Sequence, residues 1–232
     1  VDLCCGISTP AAQTLANATK TIPIVGNAIT SFETAKLVKS DKHPGGNVTG
    51  VSDMAPVAAQ LDLGLKLLPG TKKVGLMYTS SEMNSHVQIN IAKEHLKKLG
   101  IAYEEGSVNT VNDIQEIARG LISRGVNFIY VPTDNIIVSA TPALVAITDE
   151  AKIPVVAAEA SLLKSGATAS INIEYYKLGV LSGEMAADIL AGKSKPQDMP
   201  IQFQKDFTSI INKGHAEKLG IKIPEELAQF AK

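Results

Sequence analysis

The sequence predicts an α/β protein made of two blocks of parallel strands flanked by helices. Short apolar segments alternate with amphipathic ones along most of its 232 residues, the pattern of strands joined by crossover helices. Turn-forming stretches such as HPGG and LPG punctuate that alternation. The apolar segments also end in Ser, Thr, Asn and Asp, the residues that start the helix after a strand.

The elements follow in order. LCCGIS reads as a first strand and TPAAQTLANAT as a helix. IPIVGNAI is the second strand, TSFETAKLV a second helix, and NVTGVS, after HPGG, the third strand. GVSDMAP separates the two blocks. The second opens with a helix from Pro56 to Leu68 closed by PG, then the strand KKVGLMY. In NSHVQINIAKEHLKKLG, Val87, Ile91, Leu96 and Leu99 recur at near-helical spacing. Lys93, Glu94, Lys97 and Lys98 face outward, and Gly100 supplies the stop. IAYEEGSV, the helix VNDIQEIARGLISRG, NFIYVPT, a helix from about Ile136 to Lys152, and IPVVAAE complete the block.

Composition narrows the function classes. Lys and Arg number 22 against 23 Asp and Glu, scattered among one another, so no basic stripe exists for nucleic acid. No run reaches the roughly 18 apolar residues of a membrane-spanning helix, and the stretch carries no signal-peptide pattern. Cys4 and Cys5 are neighbours on a strand and point to opposite faces, so a bridge between them would be strained. Both are expected to be buried. His43, His86, His95 and His215 show no ligand spacing; neither metal nor other cofactor is expected.

Motifs for catalysis are missing. AGKSKP contains Gly-Lys-Ser, but Ala187 stands where a phosphate-binding loop needs its first glycine. Neither a G-x-S-x-G elbow nor a G-x-G-x-x-G turn occurs. Asp134 and Glu159 remain open as an acid and base pair, which geometry would decide.

The candidate site is the set of polar strand ends, since open parallel sheets bind ligands outside the carboxyl ends of their strands. In the first block these are Ser8 and Thr9, then Asn27 with Thr30 and Ser31, then Ser52 and Asp53. In the second they are Thr79, Ser80 and Ser81 with Asn84 and Ser85, then Thr133, Asp134 and Asn135, and finally Glu159. Each of these taken alone reads first as a helix cap and only second as a ligand contact. Repetition on both blocks, with two carboxylates among hydroxyls, matches what a zwitterion requires: donors for a carboxylate and an acid for an ammonium. Tyr78, Tyr130, Tyr175 and Tyr176 read either as an apolar slot for an aromatic ligand or as ordinary packing.

The runs STPAAQTLANAT, HPGGNVTGVSD, YVPTDN, INIEYYKLGVLSGEMAADILAGKSKPQDMP and IINKGHAEKLGIKIPEEL resemble the ABC-transporter substrate-binding proteins of the tryptophan/tyrosine-binding type, essentially from end to end. The resemblance implies a two-lobed periplasmic-binding-protein-like fold that closes on an amino acid, by expectation an aromatic one, and hands it to ABC transporter permease subunits. It implies no catalysis. It also implies an extracytoplasmic location, periplasmic or as a lipoprotein at the outer face of the membrane.

Mapped onto this chain, lobe 1 takes residues 1–52 with 174–201 returning to it, and lobe 2 takes 53–173 with 202–232 returning. The crossings fall near Asp53 and Asn172. Ser80, Ser81, Asn84 and Ser85 would bind the ligand's carboxylate and Asp134 its ammonium, with Ser8, Thr9 and Thr30 approaching from lobe 1. Asp53 reads as a hinge or cleft residue, or as a cap. The family normally has a leader and two further strand-helix units before the equivalent of VDLCCGIS, so lobe 1 is expected to lack its first units and to expose a strand edge. Two other readings stay open: the ligand-sensing domain of a receptor or regulator, and a two-lobed enzyme acting on a small amino acid.

Overall fold

A computed structural model describes residues 1–232. The chain runs β1 (Cys4–Ile7), α1 (Thr9–Ala18), β2 (Ile24–Asn27), β3 (Val48–Ser52), α2 (Val57–Leu67), β4 (Lys73–Thr79), α3 (Met83–Lys98), β5 (Ala102–Val108), α4 (Ile114–Ser123) and β6 (Phe128–Val131). It continues through α5 (Asn135–Ser139), α6 (Thr141–Glu150), β7 (Val155–Ala157), α7 (Ser161–Lys164), β8 (Ala169–Asn172), α8 (Tyr175–Leu190), β9 (Gln202–Phe203), β10 (Thr208–Ile211) and α9 (Lys213–Leu219). It divides into two compact units. Unit 1 holds Val1–Met54, Glu82–Val87 and Glu174–Phe207; unit 2 holds Ala55–Ser81, Gln88–Ile173 and Thr208–Lys232.

Unit 1 is built on a four-stranded sheet in the order β1-β2-β3-β9, with every pair parallel. Gly6, Gly26 and Gly50 stand abreast on its first three strands. Gly50 has φ +152°, and a Cβ there would come 1.9 Å from the Gly26 carbonyl oxygen, so only glycine fits. The core of this unit gathers Ala12, Ile24, Ile29, Phe32, Leu37, Val48 and Ile201.

Unit 2 carries a six-stranded sheet in the order β10-β8-β7-β6-β4-β5. Its strands are parallel except β10, which runs antiparallel to β8. On one face Met77, Ile114, Leu121, Ile129, Leu144 and Val155 form the main core. Leu63, Leu67, Ile171, Ile211, Ala216 and Leu227 form a second cluster, which fastens the C-terminal segment to the unit.

Four expectations are corrected. TSFETAKLV forms turns and no helix. The Thr34 N–H bonds to Ser31 Oγ at 3.2 Å and Ala35 N–H to the Ser31 carbonyl at 3.0 Å, but Lys36 then enters the left-handed region at φ 57°. Burial of Phe32, Ala35 and Leu37 in the unit 1 core overrides the helical spacing.

The helix expected from Ile136 to Lys152 arrives as α5 and α6. Pro142 has no N–H to offer the Val138 carbonyl four residues back. The Thr141 hydroxyl bonds that carbonyl instead, at 2.9 Å.

Cys4 is half-buried and Cys5 exposed. β1 is an edge strand. Gly6 on one face is covered by α1, whose Ala12 Cα lies 2.9 Å from where a Cβ would be, and Cys4 packs on the same side. Cys5 and Ile7 alternate to the other face, which α8 covers at β2 and β3 while leaving Ile7 67% exposed.

The return to unit 1, expected to end at 201, extends to Phe207, because Gln202 and Phe203 pair with Val51 and Ser52 of β3.

Candidate functional site

In unit 1 the carboxyl ends of three parallel strands bring together Ser8, Thr9, Asn27, Thr30 and Asp53. Ser8 sits at the start of α1 with φ 77° and makes no side-chain cap. Its own N–H is held by the Asn27 carbonyl at 3.0 Å. The first turn of α1 contains Pro10, so the helix start keeps few N–H donors, none of them taken by a capping side chain. Beside it, the buried hydroxyl of Thr9 and the Asn27 Oδ1 have no hydrogen-bond partner. Buried polar atoms are nearly always satisfied, so these two stand out at the carboxyl ends of β1 and β2.

Asp53 lies one residue beyond β3. It is 5% exposed; Thr30 Oγ1 donates to its Oδ1 at 3.0 Å, and the Tyr175 hydroxyl donates to its Oδ2 at 3.4 Å. Ser52 Oγ bonds the Thr30 carbonyl at 3.1 Å and accepts the Met54 N–H at 3.0 Å, which fixes the strand exit. Burial pushes the Asp53 carboxyl up to about 6, against the opposing pull of the Thr30 and Tyr175 hydroxyls and its own backbone.

Unit 1 also includes the first turn of α3. Glu82, just before the helix, and Asn84 are buried and joined by a bond from Asn84 Nδ2 to Glu82 Oε2 of 2.7 Å; Ser85 is wholly buried. The Glu82 carbonyl accepts from the N–H groups of Ser85 and His86 at 3.1 and 3.2 Å. Glu82 escaped the sequence reading because a lone glutamate before a helix reads as a surface charge; only burial distinguishes it.

In unit 2, Thr133 and Asp134 follow β6. Asp134 is buried, and both its oxygens are engaged: Oδ1 accepts from the Thr79 hydroxyl at 2.7 Å and from the Ile137 N–H at 3.0 Å, and Oδ2 accepts from the Thr79 N–H at 2.7 Å. It thus caps α5 and clamps the end of β4. Thr133 bonds through its hydroxyl and N–H to the side chain of Gln88, another buried residue that the pattern of α3 alone did not single out.

The remaining candidates of unit 2 are spread along the same strand ends. Ser80 donates to Asn109 Oδ1 at 2.5 Å; Ser81 is exposed, and Asn135 is the exposed first residue of α5. Glu159 accepts from the Ser161 hydroxyl at 2.8 Å. Asn172 ends β8 opposite Thr208.

Of the tyrosines, Tyr130 is wholly buried and donates to Gln60 Oε1 at 2.8 Å, so it is a core residue of unit 2. Burial raises its hydroxyl well above the ordinary range. Tyr78 is tied to Glu105 of β5 at 3.2 Å; burial and the neighbouring Glu105 charge hold its hydroxyl up. Tyr176 is 84% exposed.

Residues 1–232 match the family model described as ABC transporter substrate binding protein. Over 221 residues the chain is 39% identical to a tyrosine-binding protein of Clostridioides difficile (strain R20291), covering 95% of this chain and 64% of that one. The chain therefore spans somewhat less than two thirds of that curated relative. Among solved structures, a conserved domain protein from Vibrio cholerae matches with TM-score 0.96 and 38% identity, over 100% of this chain and 77% of that one. An ABC domain from Streptococcus pneumonia in complex with L-Trp matches with TM-score 0.94 and 40% identity, over 99% and 77%.

Proposed function

Because the chain belongs to the family of ABC transporter substrate-binding proteins, we propose that it is the solute-capturing part of an ABC importer and that its solute is an aromatic amino acid. The observation that carries this is the pair of unfilled buried groups, Thr9 Oγ1 and Asn27 Oδ1, beside an uncapped helix start. A hydroxyl that can donate, an amide oxygen that accepts and a positive helix end suit a zwitterion. The tyrosine-binding and L-Trp-bound relatives favour an aromatic side chain on that zwitterion.

On this reading the two units serve as lobes that close on the ligand, with the solute favouring the closed state by contacts better made there. Ser8, Thr9, Asn27 and Thr30 contribute from unit 1 together with Asn84 and Ser85; Ser80, Ser81, Thr133, Asn135 and Glu159 contribute from unit 2. The protein works outside the cytoplasm, free in a periplasm or lipid-anchored, and presents the closed form to the permease. No chemical step is needed, since delivery requires only binding and release.

A thermal-shift screen of the twenty amino acids tests the reading. A ligand that binds only the folded state stabilises it by mass action, so tyrosine or tryptophan at about 100 times its dissociation constant should raise the midpoint by about 5 °C or more. A flat screen on folded protein overturns the amino-acid assignment.

A further inference from the structure

Asp53 is a buried carboxylate with no countercharge. Its two side-chain partners, Thr30 from the segment between β2 and β3 and Tyr175 from the first turn of α8, are neutral hydroxyls. No lysine, arginine or histidine pairs with it. Two other aspartates withdrawn from water are better satisfied. Asp149 is bonded to His215 and Lys218, and Asp134 accepts three hydrogen bonds, two of them from backbone N–H groups.

A lone carboxylate withdrawn from water is strongly disfavoured in its charged form. An asparagine could hold Thr30 and Tyr175 without that cost. The charge therefore needs a cation that the chain itself does not supply. We propose that the missing cation is the ammonium group of the bound amino acid, received by Asp53 at the carboxyl end of β3. This assignment rests on the amino-acid reading above and refines it: the ligand must carry a free amine, and the ammonium falls to unit 1 in place of Asp134.

The geometry has a proton consequence. Of the two side chains facing Asp53, only Tyr175 is titratable, and its hydroxyl is the donor. With burial holding the Asp53 carboxyl up to about 6, an arriving ammonium must expel a proton from part of the population. Binding should therefore release about half a proton per ligand near pH 6, and affinity should drop toward tenfold per pH unit below that point.

Calorimetric titration of the protein with L-tyrosine and L-tryptophan, at pH 5.5, 6.5 and 7.5 in buffers of different ionisation enthalpy, reads both quantities. The expected result is proton release that rises as pH falls from 7.5 to 5.5. Asp53→Asn should weaken binding by about 100-fold and abolish the release. Should Asp53→Asn fold poorly, the wild-type proton count still decides. Tight binding with no proton release at pH 5.5 overturns the role of Asp53 and leaves the amino-acid reading standing. A wild-type protein that binds neither amino acid overturns that reading, and this assignment with it.

Discussion

His215 Nε2 lies 2.6 Å from Asp149 Oδ1, and its Nδ1 faces the Thr168 hydroxyl at 3.0 Å. Because the Val155 N–H donates to the same hydroxyl at 3.3 Å, the Thr168 proton is free to point at the ring. The chain of bonds joins α6, β7, the start of β8 and α9, and so fastens the C-terminal segment to the unit 2 sheet. Burial alone would raise the Asp149 carboxyl, but Lys218 and His215 outweigh it and hold the group below its ordinary value. A depressed acid contributes stability that is present above its unfolded value and lost as pH falls through the folded one. His215→Ala should cost about 2–3 kcal/mol in urea unfolding, and Lys218→Ala, whose side chain is 63% exposed, less than about 1 kcal/mol. Equal costs for the two would contradict this division.

Asp53 bears the opposite sign. Its folded value, about 6, stands above the ordinary 3.8, so its contribution is most favourable below pH 3.8 and is lost as pH rises through about 6. The difference amounts to ~3 kcal/mol. Without ligand, Asp53→Asn should raise stability at pH 7.5 and flatten its pH dependence between those two values. An unchanged urea midpoint at pH 7.5 would argue against an uncompensated buried charge.

The Asp134 carboxylate joins the end of β4 to the first turn of α5 through Thr79 and Ile137. Asp134→Ala leaves a buried N–H, a buried hydroxyl and a helix start without their acceptor. Loss of about 2–4 kcal/mol is expected. Thr79→Val, which keeps the backbone bond, should lose about 1 kcal/mol. Denaturant midpoints for the two variants check the ranking.

At Gly50 a methyl group would meet backbone, with the Gly26 carbonyl oxygen 1.9 Å away. Flexible side chains cannot relieve that clash. Gly50→Ala should destabilise by more than about 4 kcal/mol, whereas Gly183→Ala, with open space around the added atom, should be neutral or mildly stabilising, by up to about 1 kcal/mol. Circular-dichroism melts of both variants decide it.

Cys5 is exposed while Cys4 is half-buried. Partial burial and the adjacent Cys4 thiol both raise the Cys5 thiol above its ordinary value. A thiol reagent should therefore label Cys5 first, slowly at neutral pH and faster as pH climbs. Mass spectrometry of the native protein finding Cys4 labelled first would contradict the strand's orientation.

Much of the fold was legible because the strands of a parallel sheet and their crossover helices carry distinct periods. KKVGLMY and NSHVQINIAKEHLKKLG read correctly as β4 and α3 for that reason. The failures share a cause. TSFETAKLV has helical spacing, but three of its residues are drawn into the unit 1 core, and local propensity yields to that packing. Pro142 was visible in the sequence, yet whether it bends or breaks a helix depends on what accepts the freed carbonyl, here bonded by Thr141. Within the candidate site, Ser8, Thr9 and Asn27 were legible as polar strand ends, whereas Glu82 and Gln88 were not, since burial is a property of neighbours distant along the chain.

The order of strands and helices, the polar character of the sheet ends and the absence of catalytic motifs were determined by the sequence itself, because they depend on residue period and type. Tertiary structure decided which acid is a cap and which is a charge in need of a partner. Asp134 and Asp53 look alike as letters after a strand; one meets the backbone N–H groups of two other residues and a hydroxyl, the other two neutral hydroxyls and its own backbone. The free energy of a carboxylate out of water is set by the donors around it, and those are supplied by segments as far apart as Thr30 and Tyr175.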